Sequence, residues 1–213
     1  MTDTRTTIIL VRHGECSANL EKRFRGRHDF ELNDLGHQQA EQLADALEKL
    51  APCALCSSPL LRAQQTLAPT AARLGLAVQI EEGLNNISLG RWEGQRKEDV
   101  AREEPDLWRL WSTEPESLSF PGMESLEEVA RRSSAAVDRL VARHAGETIA
   151  LCTHRTVLKP LLPRCLGMTP PCFWKFHVDT ASISILMHEP ARGYSLFSLN
   201  RIDHLTELHR EWD

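Results

Sequence analysis

Short apolar runs alternate along the chain with longer segments in which apolar residues recur every three or four positions. The apolar, β-branched run 7–11 predicts a buried strand. Segment 32–52 places leucine and alanine on one helical face and ends at a proline, which predicts an amphipathic helix. The helix predicted at 60–76 should break near Pro69, because proline removes a helical hydrogen bond. The same patterns predict the remaining strands at 53–58, 77–80, 147–154, 182–187 and 194–200, and the remaining helices at 95–112 and 124–144.

This order of elements predicts an α/β fold with a mainly parallel sheet. In such sheets, active residues lie just beyond the carboxyl ends of the strands. Two predicted strands end in histidine: the first runs into Arg12-His13 and a later one into Thr153-His154. The sequence therefore predicts a functional site at this edge of the sheet.

Composition restricts the classes of function. The chain has 213 residues, which suits one sizeable domain or a domain with an elaborated cap. A formal net charge of -5 argues against a nucleic-acid-binding role. No apolar run approaches the roughly 20 residues that span a bilayer, and the first residues lack a secretory signal pattern. We therefore predict a cytoplasmic protein with no membrane or nucleic-acid partner.

The cysteines predict neither disulfides nor a metal site. A chain of this length without a signal peptide does not need disulfides. Cys53 and Cys56 form a CxxC pair, but a zinc site needs a second pair, and the spacing of Cys165 and Cys172 is outside the usual range. We expect buried thiols and no metal.

Five polar side chains should converge at the predicted edge of the sheet. Guanidinium groups match a tetrahedral oxyanion, so this set predicts a phosphate pocket. Its members are Arg12, His13, Asn19, Arg62 and His154. The neighbouring arginines should keep His13 uncharged near neutral pH, so that it can attack phosphorus and form a phosphohistidine. The arginines would then stabilise charge on the phosphoryl oxygens in the transition state.

The ordered motifs resemble the histidine phosphatase superfamily, in its phosphoglycerate-mutase-like branch. They are "LVRHGE", "RFRGRHDFELNDLGHQQA", "SSPLLRAQQT", "LGRWEG", "PGMESLEEVARR" and "NRIDHL". The resemblance covers about residues 7–205 and implies a single domain, 1–213, with a three-layer α/β/α fold and a helical cap at about 95–125. It implies His13 as the phosphorylated nucleophile and no metal or cofactor. It implies a phosphate pocket formed by Arg12, Asn19, Arg62, Thr153 and His154.

One departure from the family pattern concerns the proton donor. The family carries a glutamate where this chain has Asn86, within "LNNISLGRWEG". An amide cannot supply a proton, and general acid catalysis is worth roughly 10²–10⁴ in rate. Glu82 and Glu93 are the nearest alternative acids. Alternatively, the substrate has a leaving group that needs no proton, such as an acyl phosphate or a phosphohistidine.

Two further positions are candidates for additional contacts. Arg155 follows the second histidine, where the family more often has glycine, and two alternatives stay open: it reaches the phosphate or an acidic group of the substrate, or it points away from the site. Cys16 lies in the loop of the nucleophile, where the family often has serine.

Three functions stay open on the sequence. The first is a phosphatase that acts on a small phosphorylated molecule, with atypical or reduced activity. The second is a phosphoglycerate-mutase-type phosphotransfer, which the short span from Asn86 to His154 disfavours. The third is a non-catalytic phosphate-binding protein that has lost the acid. The oligomeric state is not determined, and a homodimer is left open.

Overall fold

The computed structural model describes residues 5–211, and six strands form one sheet at its centre. The strands are β1 (Thr6–Arg12), β2 (Ala54–Ser57), β3 (Val78–Ile80), β4 (Thr148–Thr153), β5 (Ile183–Glu189) and β6 (Gly193–Arg201). Their order across the sheet is β3-β2-β4-β1-β5-β6. The first four pair in parallel, whereas β5 and β6 form an antiparallel hairpin beside β1. The predicted mainly parallel α/β sheet is confirmed.

Seven α-helices surround the sheet within residues 5–211. They are α1 (Ser17–Leu20), α2 (Asp34–Leu50), α3 (Leu61–Leu74), α4 (Lys97–Glu103), α5 (Pro105–Thr113), α6 (Leu126–Arg143) and α7 (Arg155–Cys165). The two longest start at side-chain caps: Asn33 accepts a hydrogen bond from the N–H of Gly36 before α2, and Ser125 and Glu128 form a capping box at α6. These caps satisfy backbone N–H groups that a helix start leaves unpaired.

Each face of the sheet is covered by a pair of helices. Successive side chains of a strand point to opposite faces. Ile8 and Leu10 of β1 therefore pack with apolar residues of α6 and α7, whereas Ile9 and Val11 pack with those of α2 and α3. The three-layer α/β/α arrangement is confirmed.

A third apolar cluster lies above the carboxyl edge of the parallel strands. It joins aromatic residues of the loop after α1, of segment 87–126 and of the turn after α7, among them Phe24, Trp92, Trp111 and Phe173. Phe24 and Trp92 are 4.9 Å apart between ring centroids. The cluster gives the region predicted as a cap its own apolar core. The assignment of 1–213 as one domain stays a prediction, and residues 1–4 and 212–213 lie outside the described residues.

The structure differs from the predicted helices in four places, and the first is the four-residue helix α1, which was not predicted. Helix α3 continues through Pro69, because Ala63 and Leu67 are buried against the sheet and their packing outweighs one lost hydrogen bond. The helix predicted at 95–112 is two helices, since Pro105 lacks an N–H and suits the first turn of α5. Helix α7 was not predicted, since it contains Pro160 and Pro163.

Two further observations bear on the sequence predictions. Cys56 is buried as expected, but Cys53 is exposed, because it precedes β2 at the amino-terminal edge of the sheet. None of the helices within residues 5–211 combines the length and the apolarity required to cross a lipid bilayer.

Candidate active site

The carboxyl ends of β1 and β4 bring the two predicted histidines together. Arg12 pairs with Thr153 in the register of the sheet, and the N–H of His13 donates to the carbonyl of Thr153 at 3.0 Å. The rings of His13 and His154 are 5.2 Å apart between centroids, and both are buried. The two histidines therefore share one site, as the strand ends predicted.

Helix α3 brings Arg62 beneath this pair. The N–H of Gly14 donates to Thr66 Oγ1 at 2.9 Å, which ties the loop after β1 to α3. Arg62 is fully buried, and its terminal nitrogens donate to the carbonyls of Gly26 (3.0 Å) and His28 (2.9 Å). Arg62 thus holds the loop after α1 in place, which is a role the sequence analysis did not foresee.

Asn19 faces the site with its amide nitrogen. Its Oδ1 accepts hydrogen bonds from the backbone N–H of Cys16 at 3.0 Å and from Cys16 Sγ at 2.9 Å. These bonds fix the amide so that Nδ2 is directed toward the carboxylate of Glu211, to which it donates at 2.7 Å. Cys16 is therefore placed to orient Asn19, and it is not among the residues that line the cavity.

Three buried nitrogens around the site have no hydrogen-bond partner among residues 5–211. They are Arg12 Nε, Arg62 Nε and His154 Nδ1. Buried polar groups are almost always paired in folded proteins, so a cluster of unpaired nitrogens calls for a ligand. Two of the three belong to permanently cationic groups, which favours an anion.

The hydrogen bond of His13 fixes its tautomer. His13 Nδ1 lies 2.7 Å from the carbonyl of Gly14. A carbonyl can only accept, so Nδ1 carries the proton, and Nε2 keeps its lone pair in the neutral ring. Burial, followed by the positive charges of Arg62 and Arg12, holds the pKa of His13 well below 6.5. The predicted direction is right, but burial contributes more than the arginines.

His154 is held by a different partner. Its Nε2 lies 2.7 Å from Ser58 Oγ, at the end of β2. Burial and the charge of Arg62 also keep the pKa of His154 well below 6.5. His154 is therefore neutral near pH 7 and can act as a hydrogen-bond donor, but it is a poor store of an extra proton.

Thr153 does not offer its hydroxyl to the site. Its Oγ1 donates to the carbonyl of Leu84 at 2.6 Å and is fully buried. This bond connects β4 to the segment that precedes Asn86. A phosphate-binding role for the Thr153 side chain would require that bond to break, so we assign it a structural contact instead.

Asn86, which the sequence analysis assigned to the acid position, lines the cavity. Its Nδ2 donates to the carbonyl of Gly26 at 2.8 Å, and its Oδ1 accepts from the N–H of Ile87 at 2.9 Å and from Thr156 Oγ1 at 2.5 Å. Asn86 lines the same cavity as His13 and His154. The amide is thus firmly held beside the two histidines.

Neither alternative acid reaches the cavity. Glu82 is exposed and lies near Asn85. A carboxylate oxygen of Glu93 accepts a hydrogen bond from the N–H of Leu89 at 2.9 Å. Among residues 5–211, the lining of this cavity contains neither aspartate nor glutamate.

Three of the cations that line the cavity, Arg23, Arg25 and Lys97, escaped the sequence analysis, whereas Arg155 was a candidate whose direction the sequence left open. Arg25 lies in "RFRGRH", a quoted motif whose individual arginines were not assigned. Lys97 begins α4 of the cap, and no local pattern marks it. Burial lowers the pKa of Lys97 to about 8 and that of Arg155 to about 10. The aromatic side chains of Trp111 and Trp174 line the cavity beside these cations.

Glu211, at the end of the described chain, carries its carboxylate to this cluster of cations. It forms an ion pair with Arg12, and Arg25 Nη1 donates to it at 3.1 Å. Burial alone would raise the pKa of Glu211, but Arg12 and Arg25 outweigh that effect and hold it well below its usual range. Nothing in the sequence near Glu211 indicates this contact.

At the opposite edge of the sheet, three side chains with metal-ligand atoms meet. Ligand atoms of Cys53, His144 and Glu147 lie within 4.8 Å of one another. They are already joined, because Cys53 Sγ donates to the Glu147 carboxylate at 3.1 Å and His144 Nδ1 lies 2.8 Å from it. These contacts describe a hydrogen-bonded surface cluster far from the histidine pair.

Comparison with known proteins identifies the relatives of this chain. The sequence model described as histidine phosphatase superfamily (branch 1) matches residues 8–200. Phosphoserine phosphatase 1 of Hydrogenobacter thermophilus is 33% identical over 204 residues, which are 96% of each chain.

Solved structures agree with this assignment. Bacillus stearothermophilus YhfR superposes with a TM-score of 0.89 at 28% identity, covering 93% of this chain and 98% of that one. A mycobacterial glucosyl-3-phosphoglycerate phosphatase complexed with VO3 superposes with a TM-score of 0.83 at 28% identity, covering 91% and 98%.

Proposed function

The chain belongs to branch 1 of the histidine phosphatase superfamily and is a phosphatase, and we propose that His13 is its nucleophile toward a small phosphomonoester with a second anionic group. The observation that carries this proposal is the geometry of His13. A neutral imidazole with its lone pair on Nε2 stands beside unpaired donors of two arginines and a second histidine. Such an arrangement suits attack on an anion that those donors hold.

The proposed reaction has two balanced steps. His13 Nε2 forms a bond to phosphorus while the bond from phosphorus to the leaving oxygen breaks, and that oxygen departs with the bonding electrons as an anion, which solvent water can protonate. Water then attacks phosphorus, the phosphorus–nitrogen bond returns its electrons to Nε2, and inorganic phosphate is released. Arg12, Arg62, Asn19 and His154 stabilise charge on the phosphoryl oxygens in both steps. We call these four residues and His13 the phosphate end of the pocket.

The other end of the pocket determines which leaving groups react. We call Asn86, Lys97, Arg155, Trp111 and Trp174 the leaving-group end. Asn86 cannot donate a proton to the leaving oxygen, and His154 is neutral with a low pKa. Leaving groups that depart as stable anions should therefore react far better than alkoxides. Aryl phosphates, acyl phosphates and phosphohistidine are leaving groups of this kind.

The cations of the leaving-group end support the second anionic group in the substrate. Lys97 and Arg155 line the cavity beyond the histidines, on the side of the cap. A guanidinium fork and an ammonium group in a partly buried site favour a carboxylate or a second phosphate. The matched relatives are named as phosphatases of phosphoserine and of glucosyl-3-phosphoglycerate, and both of these compounds carry a carboxylate beside the phosphate.

Turnover of p-nitrophenyl phosphate tests the role of His13. This leaving group needs no protonation, so an intact nucleophile should hydrolyse it without a general acid. We expect His13→Ala to lower kcat by about 10³-fold or more, since it removes the ring nitrogen that attacks phosphorus. His37→Ala is the matched control, because His37 is exposed on α2. A His13→Ala variant with wild-type kcat would rule out this nucleophile.

A further inference from the structure

The segment after β6 runs back across the molecule to the pocket. Residues 202–211 contain neither helix nor strand. Side-chain hydrogen bonds hold this segment, which we call the tail. His204 Nε2 lies 3.0 Å from the carbonyl of Ala181, Gln42 Nε2 donates to Thr206 Oγ1 at 2.7 Å, and His209 Nδ1 lies 3.0 Å from a Glu15 carboxylate oxygen. These contacts lead the tail to the loop that follows β1.

The last residue of the tail, Glu211, lies among the hydrogen-bond donors of the phosphate end. One carboxylate oxygen of Glu211 accepts a hydrogen bond from Arg12 Nη2. The other accepts one from Asn19 Nδ2 at 2.7 Å. Arg25 Nη1 donates to it at 3.1 Å, and Arg155 Nη1 lies 3.9 Å away. The side chain of Glu211 is only 16% exposed. A carboxylate with these partners stands where an anionic ligand would bind.

Binding of Glu211 and binding of a phosphate exclude each other. Arg12 and Asn19 belong to the phosphate end, and an N–H group that bonds Glu211 cannot fully bond a phosphate at the same time. The negative charge of Glu211 would also repel a phosphate dianion in this partly buried site. We propose that Glu211 is a tethered competitor of the substrate phosphate, so that the tail must leave the pocket before a substrate binds.

The construction of the tail allows it to leave. A segment without regular secondary structure, held by a few side-chain hydrogen bonds at the surface, opens at a low free-energy cost compared with the core. Because the tail stays tethered, its carboxylate keeps an effective concentration on the order of millimolar at the pocket. Weak anions should then be excluded, whereas a substrate with two anionic groups displaces Glu211 more readily.

The contact between the Glu211 carboxylate and its cationic partners is broken when another anion replaces Glu211. It is not broken by protonation of Glu211 in the neutral range. Arg12 and Arg25 keep the pKa of Glu211 well below its usual range. The groups that face this carboxylate are Arg12, Arg25, Arg155, Lys97 and Asn19, which are cations or a neutral amide. Glu211 therefore stays charged throughout the neutral range, and competition should persist there.

Binding of inorganic phosphate tests the inference, which rests on the proposed phosphate end, without requiring turnover. Isothermal titration calorimetry would compare wild type with Glu211→Gln and Glu211→Ala. We expect both variants to bind phosphate about tenfold more tightly, because an intramolecular competitor lowers apparent affinity by the fraction of open molecules. Glu207→Gln is the matched control, since it removes the same charge from the same tail at a side chain that is 61% exposed.

The outcomes separate this inference from the proposed function. Tighter phosphate binding in both Glu211 variants, with no hydrolysis of p-nitrophenyl phosphate by any variant, would sustain the inference and defeat the proposed reaction. Hydrolysis with unchanged or weaker phosphate affinity in both variants would overturn the inference alone. Where turnover is measurable, the inference requires KM to fall in the Glu211 variants while kcat stays within about twofold.

Discussion

At the phosphate end of the pocket, every polar side chain comes from the end of a strand or from the loop or helix that directly follows one. Arg12 and His13 follow β1, His154 follows β4, and Arg62 lies in the first turn of α3 after β2. At the leaving-group end, the side chains come from the segment before α4, from α4, α5 and α7, and from the turn after α7. Lys97 and Trp111 share no strand end with the histidines.

The difference between the two ends has a physical reason. The sheet is a rigid support, so parallel strands that end together place their following residues together. The leaving-group end depends on how an aromatic cluster packs over that edge, and aromatic packing tolerates many side-chain combinations around it. The side chains at positions such as Asn86, Lys97 and Arg155 can therefore be substituted while the phosphate end stays intact. Three predictions test this separation.

The largest expected effect comes from restoring a carboxyl group at Asn86. We expect Asn86→Glu to raise kcat/KM for an alkyl phosphate such as phosphoserine by about 10²-fold, the lower range for general acid catalysis. The carbonyl of Gly26, which now accepts from Asn86 Nδ2, would favour the protonated acid. Steady-state kinetics with phosphoserine and p-nitrophenyl phosphate would measure the gain.

The gain should be confined to the alkyl substrate. Asn85→Glu is the matched control, because Asn85 precedes Asn86 and is absent from the cavity lining. Equal gains for both substrates, or none for phosphoserine in a variant with normal thermal stability, would show that Asn86 is not at the acid position.

A smaller effect is expected at Arg155. We expect Arg155→Ala to raise KM for phosphoserine about tenfold relative to KM for p-nitrophenyl phosphate, since it removes one charged contact to a second anionic group. The ratio of the two KM values is the relevant quantity, because any release of Glu211 affects both substrates alike. Arg131→Ala, an exposed arginine on α6, should leave the ratio unchanged. A parallel change for both substrates would mean that Arg155 contacts only the phosphate.

The smallest effect concerns pH and the phosphate end alone. Burial and the neighbouring arginines lower the pKa of His13, so the neutral nucleophile persists below pH 6.5 and is lost only as the pH falls through the lowered value. After correction for ionisation of the substrate, kcat/KM for p-nitrophenyl phosphate should change less than about twofold between pH 6.5 and neutrality. An acid limb centred at pH 6.5 or above would contradict a lowered pKa for His13.

Several site residues could be predicted because their signals are local. The pairs that end β1 and β4 follow from the strand patterns, whereas the interest in Asn86 follows from the resemblance of its motif to the family. Other features have no local signal. Arg62 donates two hydrogen bonds to the carbonyls of Gly26 and His28, and only the folded loop brings these carbonyls within reach. Helix α7 contains two prolines and exists because Leu158, Leu161 and Leu162 are buried against the sheet.

The amino-acid sequence by itself determined which polar residues follow which strands. From this it follows that two arginines, two histidines and an amide meet at one edge of the sheet. The resemblance of its motif to the family also predicts that Asn86 replaces the usual acid. Only the tertiary structure decided that Glu82 and Glu93 stay outside the cavity, that Lys97 and Arg155 line it, and that Glu211 contacts Arg12 across the whole length of the chain. Periodicity and motifs act over a few residues, whereas these contacts join segments far apart in sequence, whose distances are fixed only when the core packs.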